Sequence, residues 1–373
     1  MNVGIWGGGA SGVFCALSIK KHNPMIDVTI LEQNDRLLKK VLKTGNGRCN
    51  ICNRMISSEY YNDFSLFEAN NIDIVKILEE FGFLLREEDL GRMYPYSESA
   101  NVVVNYLVSK VKSMNINVLT NYKVVDIKKC DKGFVVNDDL VCDKLVIASG
   151  SHAQSQTNGY DLLKKLGHSI SKLTPGLVPL LTKEETSHMK GIRWKCDASV
   201  LNKPNVRKIS GEVLFKDHGL SGIMTLDLSN HVNVNDIVSF DLMPGYEESE
   251  LYEILSEKGK EYFEYSFPKM LYYDIEKRAN ACTNNIAKDN IDIVKIIKNY
   301  CFTVTGKKGF NDAQITLGGL KLTEINEDFS SNVCKDLFII GEVLDVDGAS
   351  GGYNLSFAWL GGYVAGKAIS KLI

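Results

Sequence analysis

The sequence predicts an α/β fold built around a parallel sheet, and three observations carry the prediction. A short apolar run, Val3-Gly4-Ile5-Trp6, drops straight into Gly7-Gly8-Gly9-Ala10-Ser11-Gly12, a G-x-G-x-x-G turn. A second apolar run, Val28-Thr29-Ile30-Leu31, closes on Glu32, and a third, Asp336 to Ile340, turns at Gly341-Glu342 near the C-terminus. Gly7 permits a tight strand-to-helix turn, Gly9 lets the backbone approach a pyrophosphate without a Cβ in the way, and Gly12 allows the helix to pack close to the strand. Phosphates would then sit on the N–H groups of Ala10 and Ser11 at the helix N-terminus, where the dipole favours negative charge. Glu32 stands at the spacing, about 20 residues beyond the glycines, from which a carboxylate accepts ribose hydroxyls and repels a 2′-phosphate. The pattern is that of a Rossmann-type βαβ unit serving FAD or NAD rather than NADP.

Composition agrees. The 373 residues are 44% hydrophobic, enough for two or three domains with a full core. Forty-three basic and 46 acidic residues give a net charge of -3 without a polybasic block, which argues against a nucleic-acid partner. The first strand begins within a few residues of Met1, and no long apolar run occurs elsewhere, so the reading is a cytoplasmic chain without a membrane span. Nine scattered cysteines read as reduced thiols in such a compartment.

The elements follow in order from periodicity and punctuation. Val13, Phe14 and Leu17 lie at helical spacing in Ser11 to Lys21, which ends at Asn23-Pro24, and Asp27 to Leu31 is the next strand. Helices are predicted over Ile72 to Phe81 and Asn101 to Ser113. Strands are predicted over Asn117 to Leu119, Tyr122 to Lys128, Gly133 to Val136 and Lys144 to Ala148. Beyond Thr182 the character changes to strands at Gly211 to Phe215 and Asp236 to Leu242, a charged helical stretch over 247–299, and strands at Phe302 to Val304 and Ala313 to Thr316. The chain therefore divides into a discontinuous dinucleotide domain, 1–182 and 318–373, around an inserted β-rich and helical domain, 183–317. A small-residue helix, Asn354 to Ile369, closes the chain.

The late return of a sheet strand decides between dinucleotides. A nicotinamide dehydrogenase completes its sheet sooner, whereas FAD proteins bring back a terminal strand whose acid reaches the ribityl and phosphate region. Gly341 and Glu342 fit that role, and Gly351-Gly352-Tyr353-Asn354 opens a helix whose amides would stabilise charge at the N1/O2 edge of a reduced flavin.

Two segments then become specific. Leu37 to Asn53, LLKKVLKTGNGRCNICN, and Gly341 to Gly366, GEVLDVDGASGGYNLSFAWLGGYVAG, resemble the signatures of the HI0933-like flavoprotein family. Weaker echoes occur at Gly91 to Ser97, Gly211 to Phe215 and Ile315 to Gly319. The resemblance implies FAD bound to a glutathione-reductase-like domain split around an inserted substrate domain. It also implies oxidoreductase activity on a small molecule, since members are linked to aminoacetone oxidation and to reduction of bile-acid intermediates. Carried over residue by residue, it gives Gly7, Gly9, Ala10, Ser11 and Gly12 the pyrophosphate, Glu32 the ribose and the Val124 backbone the adenine. Lys40, Thr44, Gly45, Gly47, Arg48, Cys49 and Asn50 would wrap the flavin, with Arg48 neutralising phosphate or reduced flavin, or alternatively forming a loop-stabilising salt bridge. Ala148-Ser149-Gly150 would pass beside the cofactor, and Gly341, Glu342, Asp347, Gly352, Tyr353, Asn354 and Leu355 would complete the site.

Departures from the family pattern matter. Its expected histidine is Asp217 here, with His218 shifted by one, so no acid/base residue transfers, and the catalytic residues stay unassigned; His152 and His218 are the histidine candidates. Cys49-Asn50-Ile51-Cys52 has the C-x-x-C spacing of a redox dithiol, but Cys52 falls where the family carries Thr, and a packing role is the simpler reading. Trp359 and Phe357 read as core. Only one G-x-G-x-x-G is present, so NAD(P)H is expected to visit transiently, without a Rossmann domain of its own, and no metal site is expected. The alternative function is a flavin-containing binding or RNA-processing protein, which the lack of a basic stripe disfavours.

Overall fold

The computed structural model describes all residues except 156, 204, 207, 282–288 and 373. They form two compact units, 1–174 with 315–373, and 175–314. The sequence placed these boundaries at 182/183 and 317/318. The difference arises because Leu180–Thr182 pairs with Gly219–Ser221 and with Tyr300–Lys307, both inside the second unit.

The first unit carries a five-stranded, all-parallel sheet in the order Leu337–Ile339, Lys144–Ile147, Asn2–Trp6, Asp27–Leu31, Asn117–Leu119. The strands are short and, apart from the edge strand Asn117–Leu119, largely buried and rich in Val, Ile and Leu, as a sheet covered on both faces demands. The first strand is central, with its successors on one side and the two late strands on the other. The sheet therefore has a topological switch point at the carboxyl end of Asn2–Trp6, where open α/β sheets bind ligands.

Two helices pack closely over this point, Ala10–His22 and Tyr353–Ser370. Their approach depends on small residues: a Cβ on Gly362 would lie 2.6 Å from the Ser11 carbonyl oxygen, and one on Gly366 2.7 Å from that of Cys15. Trp359 and Phe357 are core residues, 0% and 2% exposed. The Trp359 indole donates to Ile51 O at 2.7 Å and meets the Phe14 ring edge-on at 5.2 Å. The final helix is thereby fixed to the segment before the hairpin at Cys52.

The structure also revises several elements. The predicted strand Tyr122 to Lys128 is a strand only over Ile127–Cys130, because the amides of Val125 and Asp126 donate to the Asn137 side chain instead of to a neighbouring strand. The helix predicted over Ile72 to Phe81 runs Ile74–Glu80, started by Asp73, whose carboxylate accepts the Lys76 amide. A hairpin of Leu85–Glu88 and Arg92–Pro95, joined by Cys52–Asn53, was not foreseen.

The second unit is a closed six-stranded barrel in the order Leu180–Thr182, Gly219–Ser221, Ile209–Lys216, Arg193–Val200, Ile237–Asp241, Tyr300–Lys307. Helices Glu248–Lys258, Glu261–Glu264, Lys269–Ala281 and Asp289–Lys298 supply the predicted helical part, of which 282–288 lies outside the described residues. Arg193–Val200 escaped the sequence reading because its inward side chains include the small Cys196 and Ala198, a weak apolar signal despite clean alternation of burial.

Candidate functional site

Gly7, Glu32, Ala148 and Gly341 each stand just past a strand at the carboxyl edge of the parallel sheet. Gly7 has φ +115°, and a Cβ there would lie 2.1 Å from the Ala148 carbonyl oxygen. A Cβ on Gly12 would lie 1.9 Å from Gly7 O, so both glycines are demanded by the turn itself. Gly9 differs: its φ is an ordinary −79°, and a Cβ there would meet nothing within 4 Å. The first intrahelical bond runs from Val13 N–H to Gly9 O at 3.0 Å, so the amides of Ala10, Ser11 and Gly12 precede it with no helical acceptor. Open space against a row of such amides is an anion cradle.

Glu32 is buried, 7% exposed. One carboxylate oxygen accepts the Gly8 amide at 2.8 Å, and the other accepts Asn34 N and Nδ2 at 2.7 and 2.6 Å. It therefore links the glycine turn to a cleft of about 670 Å³ lined by residues that include Gln33, Asn34, Lys123, His152 and Asn158. Val124 is 1% exposed, and its carbonyl already accepts Asn158 Nδ2 at 2.8 Å.

At the other end, Gly341 (φ +75°) packs on Ser11, whose Oγ would be 2.4 Å from a Cβ there. Glu342 follows, with Oε2 3.6 Å from Lys40 Nζ and a buried Oε1 that has no hydrogen-bond partner. Lys40 Nζ would also lie 3.8 Å from a Cβ on Gly150, which brings these three residues together. Asn50, 8% exposed, has a second orphaned acceptor, Oδ1, 3.0 Å from where a Gly352 Cβ would sit. Gly352 (φ +100°) caps the final helix, and the first bond inside it is Ser356 N–H to Gly352 O at 3.0 Å. The amides of Tyr353, Asn354 and Leu355 are thus a second row without helical acceptors.

Asp347 lies nearby, its backbone held by Asn62 and its Oδ2 accepting the Gly318 amide at 3.2 Å. Burial, reinforced by Asp345 and Glu342, pushes its carboxyl up to about 7 against the pull of that amide. Asn62 and Ser171, which orders Asp345 through a 2.7 Å hydrogen bond, went unnoticed in the sequence because single polar residues in loops carry no periodic signal.

Other expected roles change. The Thr44-Gly45-Asn46-Gly47 turn is left-handed at Gly45, Asn46 and Gly47, and it closes through Cys49 N–H to Thr44 O at 3.1 Å. Arg48 binds Glu88 through both terminal nitrogens and Glu98 through Nε at 2.7 Å, over the face of Tyr94. These hydrogen bonds raise the guanidinium pKa and lower that of Glu88. A loop-stabilising salt bridge is the alternative the sequence offered for Arg48; the acids that make it could not be named because they arrive on the hairpin and the loop after it. Tyr353 stacks on Tyr60 with centroids 4.4 Å apart, is 4% exposed and so has one face covered by protein. Asn354 spends its carboxamide on Gly348 and Ala349, which leaves its backbone amide as its contribution. Cys49 and Cys52 are both 0% exposed free thiols, and burial pushes Cys49 up to about 11 and Cys52 higher. His218 is exposed, and His152 lies edge-on to Tyr160, its pKa lowered by burial.

No group of metal-ligating side chains and no helix long and apolar enough to cross a membrane occurs among the described residues. What these residues do present is two amide rows, a buried ribose-type acid and two orphaned acceptors around one sheet edge, a donor set that fits a dinucleotide with a hydroxylated, hydrogen-bonding far end.

Comparison with known proteins agrees. The HI0933-like protein Rossmann domain family matches residues 1–368. The chain is 29% identical to the 3-dehydro-bile acid delta(4,6)-reductase of Clostridium scindens, across 99% of each chain. It is 24% identical to the ribosomal RNA dihydrouridine synthase of Haemophilus influenzae, across 98% of each. A solved structure of similar fold is the 3-ketosteroid-delta4-(5alpha)-dehydrogenase of Rhodococcus jostii, with TM-score 0.51 and 12% identity over 99% of this chain and 96% of that one. The glycine turn, the GRCN loop and the GEVLDVDG tail thus sit in a full-length family match, and the chain belongs to the HI0933-like family of FAD-dependent oxidoreductases.

Proposed function

We propose that this chain reduces a carbon–carbon double bond conjugated to a carbonyl in a small organic substrate. One observation carries the reading: two relatives that match along essentially the whole chain are named for reactions of that single type. A delta(4,6)-reductase acting on a 3-dehydro bile acid saturates an alkene beside a ketone, and forming dihydrouridine saturates the uracil alkene beside a carbonyl.

FAD, when bound, supplies the hydride at its flavin N5. Gly7, Gly9, Ala10, Ser11 and Gly12 hold its pyrophosphate and Glu32 its ribose. Glu342 Oε1 would accept from the ribityl chain, with Lys40 Nζ beside its other oxygen. Gly45, Gly47, Cys49 and Asn50 would line the flavin side, and the amides of Tyr353, Asn354 and Leu355 would stabilise the negative charge that a flavin takes on when reduced. With a single glycine turn, NAD(P)H, oxygen or a quinone would exchange electrons with the flavin without a dinucleotide domain of its own.

A second reading replaces the small molecule with a uracil in RNA, favoured by the dihydrouridine synthase relative and opposed by the net charge of -3. One experiment tests both. The flavin is reduced anaerobically and mixed with a conjugated steroid enone, an isolated alkene or unmodified ribosomal RNA, and its absorbance near 450 nm is followed. Reoxidation by the enone alone supports the proposal, and reoxidation by RNA alone supports the second reading. A flavin that oxygen reoxidises but no conjugated alkene does would refute both.

A further inference from the structure

One ammonium group in the second unit has no acid bonded to it. Lys307 ends the strand Tyr300–Lys307, lies opposite Leu180 in the barrel and is half-buried. Among the described residues its Nζ makes no hydrogen bond or ion pair. The charged groups that face it are Lys203 and Asp236: burial and then Lys203 lower its pKa, and Asp236 opposes them.

Asp236 is turned to Lys203. It is 5% exposed, with Oδ1 accepting Asn202 Nδ2 at 2.7 Å and Oδ2 accepting the Asn233 amide at 2.7 Å and Lys203 Nζ at 2.5 Å. Lys203 Nζ also donates to His231 O at 2.9 Å. His231, exposed beside them, has the same two ammonium groups as its charged neighbours. Two lysines thus share one carboxylate, and it is bonded to Lys203.

Backbone hydrogen bonds bring these groups to one end of the barrel. The amides of Leu177 and Val178 donate to Asn230 Oδ1 at 2.8 Å and Ser229 Oγ at 3.0 Å, on the two residues before His231. The Lys308 amide donates to Pro179 O at 3.0 Å, next to Lys307. The Asn235 amide donates to Val304 O at 2.8 Å, and the Val304 amide donates to Asp236 O at 2.9 Å, which ties the loop of Asp236 to the strand of Lys307. The chain enters this unit at Pro175 and leaves it at Gln314, so the cluster stands at the barrel end through which the chain passes.

A half-buried cation without a counter-charge is unfavourable, and an anionic ligand relieves it. Among the described residues the cluster keeps one positive charge, which a carboxylate balances and a phosphate dianion exceeds. We propose that Lys307, with Lys203 beside it, binds the carboxylate of an organic acid, and that this carboxylate belongs to the substrate whose conjugated double bond is reduced. This rests on the enone reading and adds to it that the substrate is an enone acid. Lys307 holds the acid group, and no bond forms or breaks there.

The probes are a conjugated steroid enone that carries a side-chain carboxylic acid, and its methyl ester, which keeps the enone and removes the charge. Their binding to the oxidised, FAD-loaded full chain is measured by calorimetry at neutral pH. Wild type is expected to bind the acid about tenfold or more tightly than the ester, the size of one charge-assisted bond. Lys307→Met keeps the aliphatic stem without the charge and should bind acid and ester within about twofold of each other, whereas Lys307→Arg should keep the preference for the acid. Lys307→Met retaining the wild-type preference would overturn the proposal. A wild type that binds acid and ester alike, or binds neither, overturns it whether or not the variants fold. Mixing the anaerobically reduced chain with each probe separates the two readings. Reoxidation by acid and ester alike, without a difference in binding, leaves the enone reading standing and removes the anchor. An acid preference that depends on Lys307, with no reoxidation by either probe, upholds the anion site and overturns the enone reading together with the assignment of the carboxylate to its substrate.

Discussion

Gly9 separates what the fold needs from what the cofactor needs. A Cβ at this position meets no atom within 4 Å, and its backbone is one that any residue adopts. In the flavin-free chain, Gly9→Ala therefore adds no clash. Losing glycine at a helix N-cap costs roughly 0.5–1 kcal/mol, and the lower entropy of the unfolded chain returns about 0.4–1 kcal/mol, so the apo melting temperature should hardly move. With FAD the outcome changes, because the empty space is where the pyrophosphate approaches the amides of Ala10, Ser11 and Gly12. Displacing the phosphate from even one of these charge-assisted bonds removes about 1.5–3 kcal/mol, or roughly 10- to 150-fold in affinity. Gly9→Val, with a bulkier group in the same space, should purify colourless. Gly12→Ala is the control: its Cβ would lie 1.9 Å from Gly7 O, so that variant should lose stability with or without flavin. The measurements are the 450 nm to 280 nm absorbance ratio, the FAD dissociation constant and apo melting curves. A Gly9→Val protein that carries stoichiometric FAD at wild-type affinity would refute the placement of the pyrophosphate.

Cys52→Thr should keep full FAD content and turnover, and Cys49 in the native chain should resist alkylation at pH 8, since burial pushes its thiol up to about 11; rapid labelling, or a disulfide between Cys49 and Cys52 in the oxidised protein, would revive the redox pair. Arg48→Ala should lower the melting temperature, and by less at high salt, because it strips Glu88 and Glu98 of a shared cation, whereas a Kd for FAD that rises more steeply than stability falls would return Arg48 to the cofactor. Asp347→Asn should stabilise the apo chain at pH 8 and lose that advantage near pH 4. A carboxyl raised from 3.8 to about 7 makes the folded state bind the extra proton, so wild-type stability falls as pH rises through that window, and a pH-independent effect of the variant would contradict it.

What the sequence discloses, and what it withholds, divides along a physical line. The parallel sheet, the glycine turn and Glu32 are legible because backbone geometry dictates them: only glycine fits 2.1 Å from Ala148 O at Gly7, and only an apolar run survives burial on both sheet faces. The partners of Arg48 are not legible, because Glu88 and Glu98 reach it only through a hairpin of two short strands, Leu85–Glu88 and Arg92–Pro95, that show little periodicity. The contact at Val124 is hidden for a related reason. Its carbonyl accepts Asn158, which comes from 34 residues away in the chain. Family signatures transmit the atoms that backbone conformation fixes, such as the amide rows at Ala10 and Tyr353. They transmit side-chain roles poorly where a neighbouring loop can intercept them.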